Sequence, residues 1–272
     1  MIALLQRALN RIASSPWSDV AWQFSDLNGD GFPVEFTYSS ASDTLRFTAE
    51  AAGPEVPELA RLDCALSLLD SPPASPALLR QLRHWQQLAP LRFGAWVGGS
   101  LSRQKIYVEC PPAVPSPYAL PGARLRMLGL SAGALEYYYR RDFLEADGIA
   151  PLLARCGLSS RLHELLAAVS QATGRSTTSR LFGPDSGYSV AQTPAGAVFS
   201  LFTFARSVWG TDASIRRTLL ALHPMPAYAA ASAHLAHREC YLTAHGVLAW
   251  ILAPHSPVEW RISLRPLLLP AN

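Results

Sequence analysis

The stretch DLNGDGFPVEFTYSS, Asp26 to Ser40, carries two chemical possibilities. Asp26, Asn28, Asp30 and Gly31 have the spacing of a calcium loop of the helix-loop-helix kind. Such a loop needs a bidentate acid at its twelfth position, and counting from Asp26 that residue is Thr37. The sequence that follows is strand-like where a helix is required. Asp26 to Gly31 is therefore expected to be a turn, and what it delivers is one carboxylate, Glu35, set among apolar and aromatic neighbours. A second pattern is GLSAG, Gly129 to Gly133, which matches the G-x-S-x-G elbow and would make Ser131 a hydrolase nucleophile. That elbow needs a strand, a sharp turn and then a helix, whereas the sequel ALEYYYRR is strand-like, so a hairpin turn is expected there. His234 and His237 lie nearly one helical turn apart with Glu239 just beyond. The spacing could serve a metal, but cationic side chains at a helix end explain it with less. Finally, Lys105 is the sole lysine of the chain. Where it falls carries information.

The background against which these residues stand is apolar. Of 272 residues 49% are hydrophobic and 16% charged, so much surface must be buried and disorder is excluded. The length suits a single domain over residues 1–272. A formal charge of +3 without a basic run gives no footprint for nucleic acid. No apolar run is long enough for a membrane span, and MIALLQRALNRIASS carries arginines within its apolar spacing, as an amphipathic helix does. Cys64, Cys110, Cys156 and Cys240 form no CxxC, which argues against a disulfide framework or a zinc ribbon. A cytoplasmic protein is expected.

The elements that must position the chemistry recur in a fixed order. Residues 1–15 read as a helix, and VEFTYSS (34–40) with TLRFTAEA (44–51) as a hairpin. Helical sequence from Glu58 to Leu88 breaks near SPPASP. LRFGAWVGG (91–99) and QKIYVEC (104–110) form a second hairpin, RLRMLGL (124–130) and LEYYYRR (135–141) a third. Helices fill roughly 142–172, interrupted at Cys156 and Gly157. GYSVAQT (187–193) and AVFSLFTFARS (197–207) pair next, helix runs from Asp212 to His237, and CYLTAHGVLAWIL with VEWRISLRP closes the series.

Within the strands, residue types alternate. In VEWRISLRP, Val258, Trp260, Ile262 and Leu264 alternate with Glu259, Arg261, Ser263 and Arg265. In QKIYVEC, Ile106 and Val108 alternate with Lys105, Tyr107 and Glu109; in VEFTYSS, Glu35 and Thr37 oppose Val34, Phe36 and Tyr38. The apolar face is what helices pack on, and the other face is polar in strand after strand. An α+β fold follows, a closed antiparallel barrel of about ten strands surrounded by helices. A barrel of that size is too wide for side chains to fill, so its polar face lines a ligand-holding lumen. Of Tyr137, Tyr138 and Tyr139, Tyr138 shares parity with Arg140 and is assigned to the lumen.

In this arrangement the chain resembles the αββα-barrel aromatic prenyltransferases, most nearly the dimethylallyltryptophan synthase type. FPVEFTYSS is similar to that family's Pro-x-Glu strand, DTLRFTAEAAGP to its Arg-Phe/Tyr-x-x-Glu strand and QKIYVECPP to its Lys-x-Tyr strand. The order of helices and strand pairs agrees over essentially the whole chain. The resemblance implies that Glu35 accepts the N–H or O–H of an aromatic acceptor. It also implies that Arg46, Lys105, Tyr107, Tyr138, Tyr241 and Arg261 bind the diphosphate of a prenyl donor. One segment departs from the pattern. Where the family carries Arg-x-Lys-x-Tyr, this chain has Ala134, Glu136 and Tyr138, two positive charges fewer and one negative charge more. Arg124, Arg126 or Arg140 are the candidates to compensate.

Prenyl transfer to an arene makes three demands that these residue types meet. Fixed cations and phenols stabilise charge developing on the leaving diphosphate. The faces of Trp96, Tyr107, Tyr138 and Tyr241 shield an allylic cation, at roughly 0.5–2 kcal/mol each. Glu35 raises the electron density of the ring it binds, and either Glu35 or Lys105 could take the proton lost on rearomatisation. The chain has no DDxxD-like aspartate pair, so barrel cations are expected to stand in for a metal cluster, with magnesium at most stimulatory as in some relatives. The expected partners are a prenyl diphosphate and an indole or tryptophan, with a phenolic acceptor as the near alternative, on a monomer or homodimer. A non-catalytic barrel that binds an aromatic or isoprenoid ligand is the alternative the Ala134 and Glu136 departure favours.

Overall fold

The computed structural model of the chain describes residues 3–17, 33–111, 114, 116–174, 180–183, 186–240 and 242–266. Helix α1 (Ala3–Ala13) leads to strands β1 (Val34–Ser39) and β2 (Arg46–Glu50). Helices α2 (Arg61–Leu68) and α3 (Pro76–Gln86) follow, then strands β3 (Ala95–Gly99), β4 (Gln104–Glu109), β5 (Arg124–Ser131) and β6 (Ala134–Arg141). A short pair, β7 (Leu144–Glu145) and β8 (Arg180–Phe182), brackets helices α4 (Ala146–Arg155) and α5 (Leu162–Thr173). Strands β9 (Ser186–Thr193) and β10 (Gly196–Phe204), helices α6 (Ala205–Trp209), α7 (Asp212–Leu222) and α8 (Pro226–Ala231), and strands β11 (His245–Leu252) and β12 (Glu259–Leu264) complete the order.

Apart from the β7–β8 pair, the strands form one closed barrel in the order β1-β12-β11-β10-β9-β6-β5-β4-β3-β2. Every neighbour is antiparallel, and the ring closes where Thr37 of β1 pairs with Ser263 of β12. Closure removes both sheet edges. Outward side chains build the main core against the helices: Ile106, Val108, Trp260 and Ile262 are all buried, as their alternation requires. Trp250 and Trp260 meet edge to face at 5.4 Å between centroids. Burying an aromatic ring of this size contributes roughly 4–6 kcal/mol by area.

Local signals set the ends of the elements. Ser75 caps α3 by accepting the Leu78 N–H, with Pro76 in the first turn. Gly133, at φ 73, turns the β5–β6 hairpin in a conformation that side chains resist. A buried chain of hydrogen bonds ties α7 and α8 to β11. Tyr228 Oη lies 2.7 Å from His245 Nε2, and His245 Nδ1 lies 2.6 Å from Asp212 Oδ1. Asp212 also accepts the N–H groups of Ala244 and His245, at 3.0 and 3.2 Å. Burial opposes the charge of Asp212, but these partners outweigh it and hold its carboxyl below the ordinary value.

Several sequence expectations need correction; the strand expected from Leu91, for one, begins at Ala95. The strand expected to reach Ser207 ends at Phe204, where Ala205 starts helix α6. The strand expected to begin at Cys240 begins at His245, because Asp212 holds the Ala244 and His245 amides and fixes the chain entering β11. The β7–β8 pair, with strands of two and three residues, was not expected. Among the described residues no helix is long and apolar enough to cross a membrane.

Candidate active site

The inward faces of the barrel strands enclose a lumen of ≈ 540 Å³, room for a small aromatic molecule with a second small group. Glu35, Trp96, Tyr107, Tyr138 and Arg261 line it. Lys105 reaches the same wall through its contacts with Tyr138 and Glu136, both of which face the lumen. Arg46 pairs in register with Thr37, a lining residue, and shares the inward parity of Thr48. Tyr241 and the Asp26–Gly31 turn lie outside the described residues.

One end of the lumen gathers charge. The Lys105 ammonium bonds Glu136 and donates to Tyr138 Oη at 2.8 Å. It also sits over the rings of Tyr107 and Tyr138, 4.8 and 5.1 Å from their centroids. Gly129 makes this reach possible. It stands between Tyr107 and Glu136 in the sheet register, and a side chain there would collide with Lys105. Glu136 in turn accepts from Ser189 Oγ at 2.5 Å. Burial disfavours both charges, but their mutual attraction outweighs it. The Lys105 ammonium is held above its ordinary value and the Glu136 carboxyl below. Burial, then Glu136, push the Tyr138 phenol well upward, so it stays a neutral donor and acceptor.

Arg261 is engaged too. Its guanidinium holds Glu259 by two bonds, at 2.5 and 2.9 Å, and Ser39 Oγ donates to the same carboxylate at 2.7 Å. Glu259 would be raised by burial, yet Arg261 holds it below its ordinary value. Arg46 is lowered by burial and then by the neighbouring charge of Arg261. Three cations, Arg46, Lys105 and Arg261, thus meet two carboxylates, Glu136 and Glu259.

The acid and the aromatic wall both line the lumen. Glu35 Oε2 lies against Gly246, whose lack of a side chain gives the carboxylate its place. Trp96 stacks on Phe93 with centroids 4.0 Å apart. Glu109 fixes that stack from behind by accepting the N–H groups of Arg92, Phe93 and Gly94 at 2.8–2.9 Å. Tyr138 meets Tyr107 edge-on at 5.8 Å and Phe202 at 6.4 Å.

A second, arginine-rich group lines the lumen elsewhere. Arg140 and Arg206 stand over the Phe204 ring at 5.4 and 5.3 Å, and Arg92 and Arg126 also line the cavity. Arg124 pairs with Asp142 at 3.7 Å and is exposed. These arginines do not replace the charges absent at Ala134 and Glu136. Arg140 is four residues from Glu136 along β6, about 13 Å at the rise of a strand. Ser131 ends β5 in a hairpin turn followed by a strand, so the elbow geometry is lacking. His234 lies in a 3₁₀ turn, and no group of three metal-ligating side chains occurs among the described residues.

Sequence reasoning missed Ser189, Phe202, Phe204 and Arg206 as lumen residues. The first three were accessible from strand parity; Arg206 lies beyond the end of its strand, where parity stops applying.

No protein-family model matches the chain, and no curated protein matches it. Solved structures do. The apo form of the prenyltransferase PriB superposes with a TM-score of 0.73 at 18% identity, over 96% of this chain and 88% of that one. The chain has the prenyltransferase-barrel fold. The 5-dimethylallyl tryptophan synthase from Streptomyces coelicolor, solved with DMASPP and Trp, matches at a TM-score of 0.71 and 20% identity, over 98% of this chain and 90% of that one. The 6-dimethylallyltryptophan synthase from Micromonospora olivasterospora, in complex with the same two molecules, matches at 0.69 and 18%, over 96% and 90%. At these identities the prenyltransferase barrel is a shared architecture, and the chemistry must come from the side chains of the lumen.

Proposed function

We propose that the chain is an aromatic prenyltransferase that moves a dimethylallyl or longer prenyl group from its diphosphate to an indole-type acceptor, tryptophan or a relative of it. The observation that carries this reading is the shared volume. The Glu35 carboxylate, a cation cluster and a set of aromatic faces adjoin a single lumen of ≈ 540 Å³. Solved prenyltransferase barrels of the same architecture hold DMASPP and Trp.

In this reading Arg46, Lys105 and Arg261, with the hydroxyls of Tyr107 and Tyr138, hold the diphosphate; the resemblance assigns the same role to Tyr241, which lies outside the described residues. Cationic donors fixed before the reaction stabilise the charge that develops as the carbon–oxygen bond breaks. Trp96, Tyr107 and Tyr138 flank the allylic cation and keep water from it. Glu35 accepts the acceptor's N–H, orients the ring and makes it more nucleophilic. The arene carbon forms the new carbon–carbon bond, and its proton leaves to Glu35 as aromaticity returns, because Lys105 is held as the ammonium and has no lone pair to accept it. Side chains alone supply the positive charge, so the reaction is expected to persist in chelator.

The pairing of Lys105 with Glu136 and of Arg261 with Glu259 favours a second reading, a barrel that binds an aromatic or isoprenoid ligand without transfer. Incubation with dimethylallyl diphosphate and a panel of indoles and phenols, read by mass spectrometry, separates the two. A product heavier by one prenyl group supports transfer. Ligand binding without product across the panel supports the second reading.

A further inference from the structure

Glu136 is the unusual member of the charged end. It sits where a leaving diphosphate would need positive charge, and it already occupies Lys105. The contact is built by the fold: register sets Gly129 beside Glu136, and the absent side chain at Gly129 lets Lys105 cross β5 to reach it. Ser189 and Tyr138 hold the two partners in place, with bonds of 2.5 and 2.8 Å. Both side chains are largely removed from solvent, at 17% exposure for Lys105 and 16% for Glu136, so water screens the carboxylate little.

We propose that Glu136 is a specificity-determining residue that limits how much negative charge the cation end of the lumen will hold, by competing for Lys105 and repelling phosphoryl oxygens. Glu136 and Glu259 offset two of the three positive charges that Arg46, Lys105 and Arg261 would offer an anion. Repulsion from a fixed carboxylate grows with the charge of the incoming group. Glu136 therefore acts against a diphosphate more than against a single phosphate, a repulsive element of the kind that sets selectivity. The inference rests on reading this end as the donor's anion site, and it adds which residue tunes that site.

The test is calorimetric titration of the full chain with inorganic pyrophosphate and, separately, inorganic phosphate, for wild type, Glu136→Gln and Glu136→Met. Removing the charge should tighten pyrophosphate at least about tenfold and phosphate by less, so that the ratio of the two affinities rises in both variants. A residue that merely positions Lys105 predicts the opposite sign, weaker binding of both anions once the anchor is lost. Weaker binding, an unchanged ratio, or no binding of either anion by any of the three proteins overturns the proposal. A wild type that binds neither anion while the variants bind pyrophosphate supports it. Prenyl transfer is assayed apart from this. Tighter pyrophosphate without transfer leaves Glu136 in its role and sinks the transferase reading, whereas transfer with an unchanged ratio sinks only the role of Glu136.

Discussion

Removing the ammonium of Lys105 should expose how strongly the barrel depends on its internal ion pair. In Lys105→Met the carboxylate of Glu136, 16% exposed, keeps Ser189 but loses its counter-charge. Breaking a buried pair from one side costs about 3–5 kcal/mol; partial exposure here puts the expected loss near the bottom of that range, about 3 kcal/mol. For a chain of this size that corresponds to a fall in Tm of roughly 6–9 °C. Lys105→Met/Glu136→Gln removes both charges and should recover to within about 1 kcal/mol of wild type, so the losses of the two single variants should be far from additive.

The pH dependence should also invert. In wild type, Lys105 holds the Glu136 carboxyl below its ordinary value, so the pair's contribution is present above that value and is lost as pH falls through the folded one. In Lys105→Met burial, the largest influence on Glu136, is met by the hydrogen bonds from Ser189 and Tyr138 but no longer by a counter-charge, and the carboxyl is expected to rise. The folded state then binds the proton more tightly than the unfolded chain, and the variant should gain stability as pH falls from about 7 to about 5. Thermal and urea denaturation of the four proteins of the cycle, repeated across that range, measures both effects. Additive losses, or a variant whose deficit does not change with pH, would refute the claim that the pair is charged and buried.

Other outcomes follow from the same geometry. Glu35→Ala should slow transfer by roughly a hundredfold while leaving the affinity for an unreactive thio-analogue of the donor within about twofold; equal rates in single-turnover assays would remove its assigned role. Gly129→Ala places a methyl group onto the flexible end of Lys105, 2.9 Å from Nζ, so the variant should fold yet bind pyrophosphate about tenfold more weakly; calorimetry showing wild-type affinity would contradict that account. Asp212→Asn leaves His245 and the Ala244 amide with a weaker acceptor and should cost about 2–3 kcal/mol in urea melts, with transfer per folded molecule unchanged.

Much of this architecture was legible because a strand repeats every two residues. VEWRISLRP announces its two faces without any partner, and so do QKIYVEC and VEFTYSS, which is why a closed barrel with a polar interior could be expected from one sequence. What alternation does not contain is register. Glu136 was visible as a departure from the family pattern, but its pairing with Lys105 depends on how β4, β5 and β6 slide against one another and on a glycine between them. Arg124, Arg126 and Arg140 looked like replacements because they are near Ala134 in sequence. Along an extended strand, nearness in sequence becomes distance in space, and they lie away from the charged end. The strand end at Phe204 and the start at His245 were misplaced because long-range contacts, such as Asp212 with the Ala244 and His245 amides, set such boundaries.

The most direct test of the account is a crystal structure of the chain soaked with a thiolodiphosphate donor analogue and an indole acceptor. The diphosphate should lie against Arg46, Lys105 and Arg261, with the acceptor N–H about 3 Å from the Glu35 carboxylate. A diphosphate held by Arg92, Arg126, Arg140 and Arg206, or an indole bound outside the lumen, would contradict it.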